Sequence, residues 1–204
     1  MNALLERVAS DQFLEGLVVT IREWTATGSG MRLMLGLAAD DSLVGEQWVV
    51  ECESVRACRV SWSLAHDVEH LTDHVLLAPY LEPNVTLAIR GPVRDARHAI
   101  ADLWQAHHEL AGDWFPLTAF LNDGMPLAEL LQSSGAICAA GPSRFIAAYQ
   151  SALAKNGTDA YTPWERSPKV WRDGSWQEES QNTSLLLLKP HFIVGTGFSA
   201  RRIA

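Results

Sequence analysis

Histidine is the residue type that gives this sequence its clearest potential for chemistry. The segment SLAHDVEHLTDHVLL, residues 63–77, places His66, His70 and His74 four positions apart. Imidazole is a common zinc ligand, and two histidines at positions i and i+4 of a helix can share one ion. A helix rises about 1.5 Å per residue, so His66 and His74 would lie about 12 Å apart and could not bind the same ion. Such a site would need further ligands, for which the sequence offers a nearby carboxylate or His98, His107 and His108.

The same segment also fits an amphipathic helix that turns its histidines outward. At about 100° per residue, the histidines fall on one face of such a helix. The apolar side chains fall on the opposite face: Leu64, Val68, Leu71 and Val75. The pattern therefore predicts a helix over 64–75 whose histidine face meets water or a partner. HDVEH lacks the glutamate that directly follows the first histidine in the metalloprotease pattern HExxH. A divalent metal site on this stripe remains an alternative, and a pH-responsive contact is a third, because histidine changes charge near neutral pH.

Outside the histidines, the sequence has no specific catalytic signature. It contains neither GxxxxGK[ST], GxGxxG nor GxSxG, so it offers no phosphate loop, dinucleotide fingerprint or nucleophile elbow. His107 shares an apolar helix stripe with Trp104 and Leu110, which predicts a buried structural histidine. The three cysteines form no CxxC pair and stand in apolar contexts, which predicts small buried side chains without a disulfide. We therefore predict no cofactor, and the sequence favours a protein that is not an enzyme.

The bulk composition is that of an acidic globular protein. Its 204 residues are 48% hydrophobic and 20% charged, and the formal net charge is −8. Nucleic-acid binders use basic patches to neutralise phosphate, so a nucleic acid is an unfavourable partner. No apolar run approaches the roughly 18 residues that span a bilayer, and the first residues lack an apolar signal-peptide core. We expect a soluble, cytoplasmic protein with no membrane partner.

Hydrophobic periodicity changes from two residues to 3.6 residues along the chain, which predicts an α+β fold. Residues 15–91 are predicted to be mainly β, with a hairpin at the TGSG turn. An alternating strand over 48–62 is interrupted near Ser54 and Arg56, which predicts a bulge or turn there. Residues 95–155 are predicted to be mainly helical, and Asp95 and Gly112 are the expected caps of the first helix.

The last quarter of the sequence is predicted to combine a loop with two strands. Residues 158–183 are polar and irregular, which is typical of a long loop, and residues 184–204 suit strands that complete the N-terminal sheet. We therefore predict one domain over residues 1–204. It contains an antiparallel, strongly curved sheet with the helices of 95–155 packed on one face.

Eight tryptophans provide the remaining functional signal. Trp164, Trp171 and Trp176 stand in the predicted loop, where aromatic side chains can contact a partner. A second hypothesis is a small-molecule pocket between sheet and helices, lined by three others: Trp48, Trp62 and Trp104. The acidic surface, the exposed histidines and the loop tryptophans together favour a non-enzymatic binding domain that recognises a protein partner or associates with itself. A metal-dependent enzyme and the small-molecule binder are the alternatives.

Overall fold

The chain divides into two compact units. Unit 1 comprises Met1–Leu77 and Ser180–Ala204, and unit 2 comprises Ala78–Glu179. The computed structural model describes residues 1–10, 17–39, 45–61, 64–65, 67–172, 174–178 and 182–203. Antiparallel sheets and helices, with about 42% strand and 28% helix, confirm the α+β class. The prediction of a single α+β domain over residues 1–204 stays a prediction.

Strands outnumber helices in both units. The described strands are β1 (Leu17–Thr27), β2 (Gly30–Ala39), β3 (Glu46–Glu53), β4 (Ala57–Arg59), β5 (Leu64–Ala65), β6 (Glu69–Leu71), β7 (Asn84–Ile89), β8 (Ile137–Pro142), β9 (Ala160–Arg166), β10 (Lys169–Arg172), β11 (Ser175–Glu178), β12 (Ser184–Leu188), β13 (His191–Gly195) and β14 (Gly197–Arg202). The helices are α1 (Asn2–Val8), α2 (Ala78–Leu81), α3 (Ala96–Ala111), α4 (Leu127–Leu130) and α5 (Ser143–Lys155), with 3-10 turns at Val75–Leu77 and Leu117–Ala119. None of these described helices has the length and apolarity to cross a bilayer.

Unit 1 contains two antiparallel sheets that share one core. The first has the strand order β14-β3-β2-β1-β5 and the second β4-β13-β12-β6. All five residues of β12 are buried, and Leu186 and Leu188 join Leu33, Val50 and residues of α1 in a single hydrophobic cluster. The pairing of β14 with β3 confirms that a C-terminal strand completes the N-terminal sheet.

The predicted interruption near Ser54 is confirmed, and it separates two sheets. β3 ends at Glu53, Ser54 adopts a positive φ of 43°, and β4 begins at Ala57. β3 belongs to the first sheet of unit 1, whereas β4 pairs with β13 in the second. A left-handed residue is costly for a side chain other than glycine, and here it turns the chain from one sheet to the other.

The helix predicted over residues 64–75 is wrong. Leu64–Ala65 pairs with β1, and Glu69–Leu71 pairs with Leu185–Leu187 of β12. β12 is an apolar central strand whose backbone groups need partners on both sides, and β6 and β13 supply them. This long-range pairing outweighs the weak helical periodicity of the local sequence.

In unit 2, α5 packs on a three-stranded antiparallel sheet with the order β8-β7-β9, and α3 packs on α5. The helix α3 lies between its predicted caps, and α5 lies within the region predicted to be mainly helical. Asp95 caps α3 by accepting hydrogen bonds from the backbone N–H groups of Arg97 and His98. The predicted C-cap, Gly112, has a positive φ of 52°. Trp104 was wrongly assigned to the apolar stripe of α3, because it is 55% exposed. Ala99 is buried on this helix instead.

The long loop predicted over residues 158–183 is also wrong in most of its length. Ala160–Arg166 forms β9 against β7, and β10 and β11 form a separate two-stranded hairpin. The residues of β9 and β11 are largely exposed, so no apolar alternation marks these two segments as strands. The Asp-Gly pair at 173–174, a hairpin-turn signature, is the sequence signal that identifies β10 and β11.

A carboxylate from the chain itself occupies the N-terminus of α5. Glu82 Oε2 accepts hydrogen bonds from the Arg144 N–H at 2.9 Å and from Ser143 Oγ at 3.1 Å. Glu82 also forms an ion pair with the Arg144 guanidinium. Free amides at a helix N-terminus favour an anion, and Glu82 meets that preference within the fold.

Candidate functional site

The histidine stripe is divided between a strand and a turn. His66 lies outside the described residues. His70 is in β6, where its Nε2 lies 2.9 Å from Ser184 Oγ and its ring meets the Phe198 ring edge-on at 5.4 Å between centroids. His74 Nδ1 accepts a hydrogen bond of 3.2 Å from the Leu76 N–H. His70 and His74 are thus half-buried residues with hydrogen bonds inside unit 1, and they do not form one outward face.

The other predicted metal ligands lie on α3. His98 Nδ1 bonds to Asp95 Oδ2 at 2.7 Å, and the His108 ring stacks on Trp104 at 5.1 Å. Ten residues of helix separate the two histidines by about 15 Å along the axis. Within the described parts of the chain, no group of three or more His, Cys, Asp or Glu side chains is arranged to hold a metal ion. The metal site stays a prediction, and elemental analysis of protein purified without a metal column would test it.

Three histidines of unit 1 give its stability a predictable pH dependence. Burial lowers the pKa of His70, of His74 and of His191, and Arg59 lowers the pKa of His191 further. Below the ordinary histidine pKa of about 6.5, the unfolded chain takes up protons more readily than the folded unit. The free energy of unfolding of unit 1 is therefore expected to fall between pH 7.5 and pH 5.5, as measured by urea denaturation.

A double variant provides the control for that titration. Changing His70 and His191 to asparagine should remove part of the slope in this pH window. The pKa of His98 is shifted in the opposite direction, because the Asp95 carboxylate raises it. Protonation of His98 therefore stabilises the folded state as the pH falls. An unchanged slope in the His70→Asn/His191→Asn variant would show that these two histidines are not the source.

His107 is a structural residue of unit 2, as the sequence predicts. It is 3% exposed and packs among aromatic rings that include Phe145 and Phe120. Its Nε2–H donates to the Phe115 carbonyl oxygen at 2.8 Å, and its Nδ1 accepts from the Tyr149 hydroxyl at 2.6 Å. Burial raises the pKa of Tyr149, so the phenol keeps the proton that it donates. Both ring nitrogens are satisfied within the protein, which leaves neither available as a catalytic base.

The cysteines do not supply a nucleophile to the grooves of the molecule. A groove of about 350 Å³ lies at the end of the β1–β2 hairpin, and the ion pair between Arg32 and Glu51 is part of its lining. The cysteine in that lining is Cys52, and burial raises the pKa of its thiol to about 12. Burial also raises the pKa of Cys138, to about 11. The thiols of Cys52 and Cys138 therefore stay protonated at neutral pH. The prediction that Cys58 is buried is wrong, because Cys58 is exposed on β4.

The tryptophans named in the two binding hypotheses have different environments. Trp48 lies in the core of unit 1, where its Nε1–H donates to Glu46 at 3.1 Å, and Trp104 lies on the surface of unit 2. Trp62 and the side chain of Trp171 are outside the described part of the structure. The small-molecule pocket proposed for Trp48, Trp62 and Trp104 therefore remains a prediction.

Trp164 lies on the face of the unit 2 sheet opposite the helices. It is 57% exposed, and its cross-strand neighbours in register are Thr86 and, beyond it, Ala140. The neighbouring β7 residues, Val85 and Leu87, are buried on the side that packs against α5. Pro163 precedes Trp164 in this edge strand, and its missing N–H disfavours the addition of another strand along that edge.

Trp176 lines an open groove where β9 meets the β10–β11 hairpin. The indole is 65% exposed, and the groove has a volume of about 620 Å³. The lining consists of Glu165, Arg166, Ser167, Lys169, Trp176 and Glu178. Trp164 does not line the groove, but it lies two positions from Arg166 in β9, and we call Trp164 together with these six residues the tryptophan surface.

The charges of the tryptophan surface cancel, although the whole chain is acidic. Two cations, Arg166 and Lys169, stand among two carboxylates, Glu165 and Glu178, whereas the chain has a net charge of −8. Among the described residues, these four side chains form no ion pair or hydrogen bond with each other or with a neighbour. The tryptophans of this surface were predicted from the sequence, whereas the four charged residues around them were not.

Comparisons with known proteins assign no family to the chain. A scan against protein-family models finds no match, and a search of curated proteins finds no similar sequence. A search of the solved structures finds no similar fold.

Proposed function

We propose that the chain is a non-enzymatic interaction domain that associates with itself through the tryptophan surface of unit 2. The observation that supports this proposal is the exposure of two indoles, Trp164 at 57% and Trp176 at 65%, on a surface whose charges balance. Tryptophan and arginine are the residues that dominate the binding energy of protein interfaces, and Arg166 stands between the two indoles in the sequence.

The energetics favour a moderate affinity. Burying one of these indoles would contribute on the order of 3 kcal/mol, so a symmetric pair of surfaces with four indoles would contribute on the order of 12 kcal/mol. Association costs about 4–15 kcal/mol in lost translational and rotational freedom, apart from the ordering of side chains. The surplus is therefore at most about 8 kcal/mol, which corresponds to a dissociation constant no tighter than about 1 µM.

Sedimentation of the 204-residue chain tests the proposal. We expect the wild-type weight-average mass to rise between about 1 µM and about 500 µM, and the variant Trp164→Ser/Trp176→Ser to remain monomeric over that range. Trp104→Ser is the matched control, because it removes an equally exposed indole from α3 of the same unit. A wild-type chain that stays monomeric, or a double variant that associates as the wild type does, would refute self-association through this surface.

A further inference from the structure

We infer that two copies of the chain meet about a two-fold axis at the tryptophan surface, with the cations of each copy opposite the carboxylates of the other. This inference rests on the proposed self-association and specifies its geometry. A two-fold axis brings the same surface of both copies together, so the surface must be complementary to itself. A patch of one sign cannot meet that condition, whereas the two cations and two carboxylates of this groove can.

The charges of the groove balance, whereas those of the whole chain do not. An acidic molecule with a net charge of −8 repels another copy of itself at long range. Arg166 and Lys169 offset Glu165 and Glu178 in the groove that Trp176 lines, which reduces the repulsion between two copies that meet there. Because the four charged side chains have no partner among the described residues, a second copy could pair with them without breaking an existing ion pair.

A different mode of association is disfavoured by the same elements. Strand-to-strand pairing along β9 would require backbone N–H groups at its free edge, and Pro163 removes one of them. This disfavours an extended sheet between two copies and favours a contact formed by side chains of the tryptophan surface. Electrostatic complementarity then determines which arrangement of the two copies is favoured.

Two charge-reversed variants test the pairing directly. The acidic variant is Arg166→Glu/Lys169→Glu, and the basic variant is Glu165→Lys/Glu178→Lys. In a solution of either variant alone, the four charged groove side chains of both copies have the same sign and repel each other. We therefore expect the dissociation constant of each variant to rise at least about tenfold over that of the wild type. An equimolar mixture should recover association, because the acidic surface of one variant then meets the basic surface of the other. Sedimentation with a fluorophore on one variant measures the mixed species.

Net charge is controlled within the same experiment. The acidic variant replaces two positive by two negative charges and so moves the net charge from −8 to −12, while the basic variant moves it to −4. If overall repulsion governed association, the basic variant would associate more tightly than the wild type, which is the opposite of our expectation. Arg94→Glu/Arg97→Glu also gives a net charge of −12, at exposed positions outside the groove, and should associate nearly as the wild type does.

The outcomes separate the two proposals. If the tryptophan variant is monomeric while both charge-reversed variants associate as the wild type does, self-association stands and the ionic pairing is overturned. The same conclusion follows if each charge variant is monomeric and their mixture stays monomeric. If the wild type and the mixture are monomeric at every concentration, both proposals fail.

Discussion

Replacing His107 by alanine is expected to lower the free energy of unfolding of unit 2 by about 3–5 kcal/mol. The substitution leaves the Tyr149 hydroxyl without its acceptor and the Phe115 carbonyl without its donor, and unsatisfied buried groups cost about 1–3 kcal/mol each. It also opens a cavity among Phe145, Phe120 and neighbouring rings. Urea denaturation followed by circular dichroism measures the loss, and hydrogen exchange of α3 and α5 amides localises it.

The next residue on the same helix is the control for that substitution. His108→Ala removes an exposed ring that stacks on Trp104, so we expect a change within about 0.5 kcal/mol. Tyr149→Phe should be intermediate, because it removes only the donor to His107 Nδ1. Equal effects for His107→Ala and His108→Ala would show that the buried hydrogen bonds do not stabilise unit 2.

Gly30→Ala is expected to destabilise unit 1 by about 2–3 kcal/mol. A Cβ atom at Gly30, the first residue of β2, would lie 2.6 Å from the Cys52 carbonyl oxygen and 3.2 Å from Thr27 Oγ1. The carbonyl belongs to the backbone of β3 and cannot rotate away, so the strands must separate or the hairpin must distort. Hydrogen exchange of β2 and β3 amides, together with the urea midpoint, measures this effect.

Gly91→Ala is the matched control in the same protein. No heavy atom lies within 4 Å of a Cβ at Gly91, and its φ is not in the left-handed region. The substitution should therefore be neutral or stabilise by up to about 1 kcal/mol, because alanine has less freedom in the unfolded chain. If Gly30→Ala were as mild as Gly91→Ala, the close approach of β2 to β3 would not constrain position 30.

Elements with signals in their own sequence were predicted well. The helix α3 has Asp95 at its start and Gly112 after its end, and the first hairpin has the TGSG turn. By contrast, β6 depends on pairing with β12, and the bond between His70 and Ser184 spans 114 positions of sequence. Local periodicity contains no information about a partner at that distance, so a helix was predicted instead.

The candidate site could be predicted only in part from the sequence. Trp164 and Trp176 were identified because tryptophan is rare and the segment is polar, and both are exposed. The groove depends on the meeting of β9 with a hairpin in which all four residues of β11 are exposed, and such a strand has no apolar pattern. The same limit applies to β7, because an alternating strand shows which face is buried but does not specify which sheet it joins.

The discontinuity of unit 1 has a consequence for how the chain folds during synthesis. Unit 2 is continuous, so all its strands are available once residue 178 has emerged, whereas unit 1 still needs β12, β13 and β14. At about 5–20 residues per second, those strands follow roughly one to five seconds later. During that interval β3 lacks its β14 neighbour and the core of unit 1 lacks Leu186 and Leu188. Unit 2 can therefore complete its contacts first, and the residues of unit 1 that precede it in the sequence are among the last to be buried.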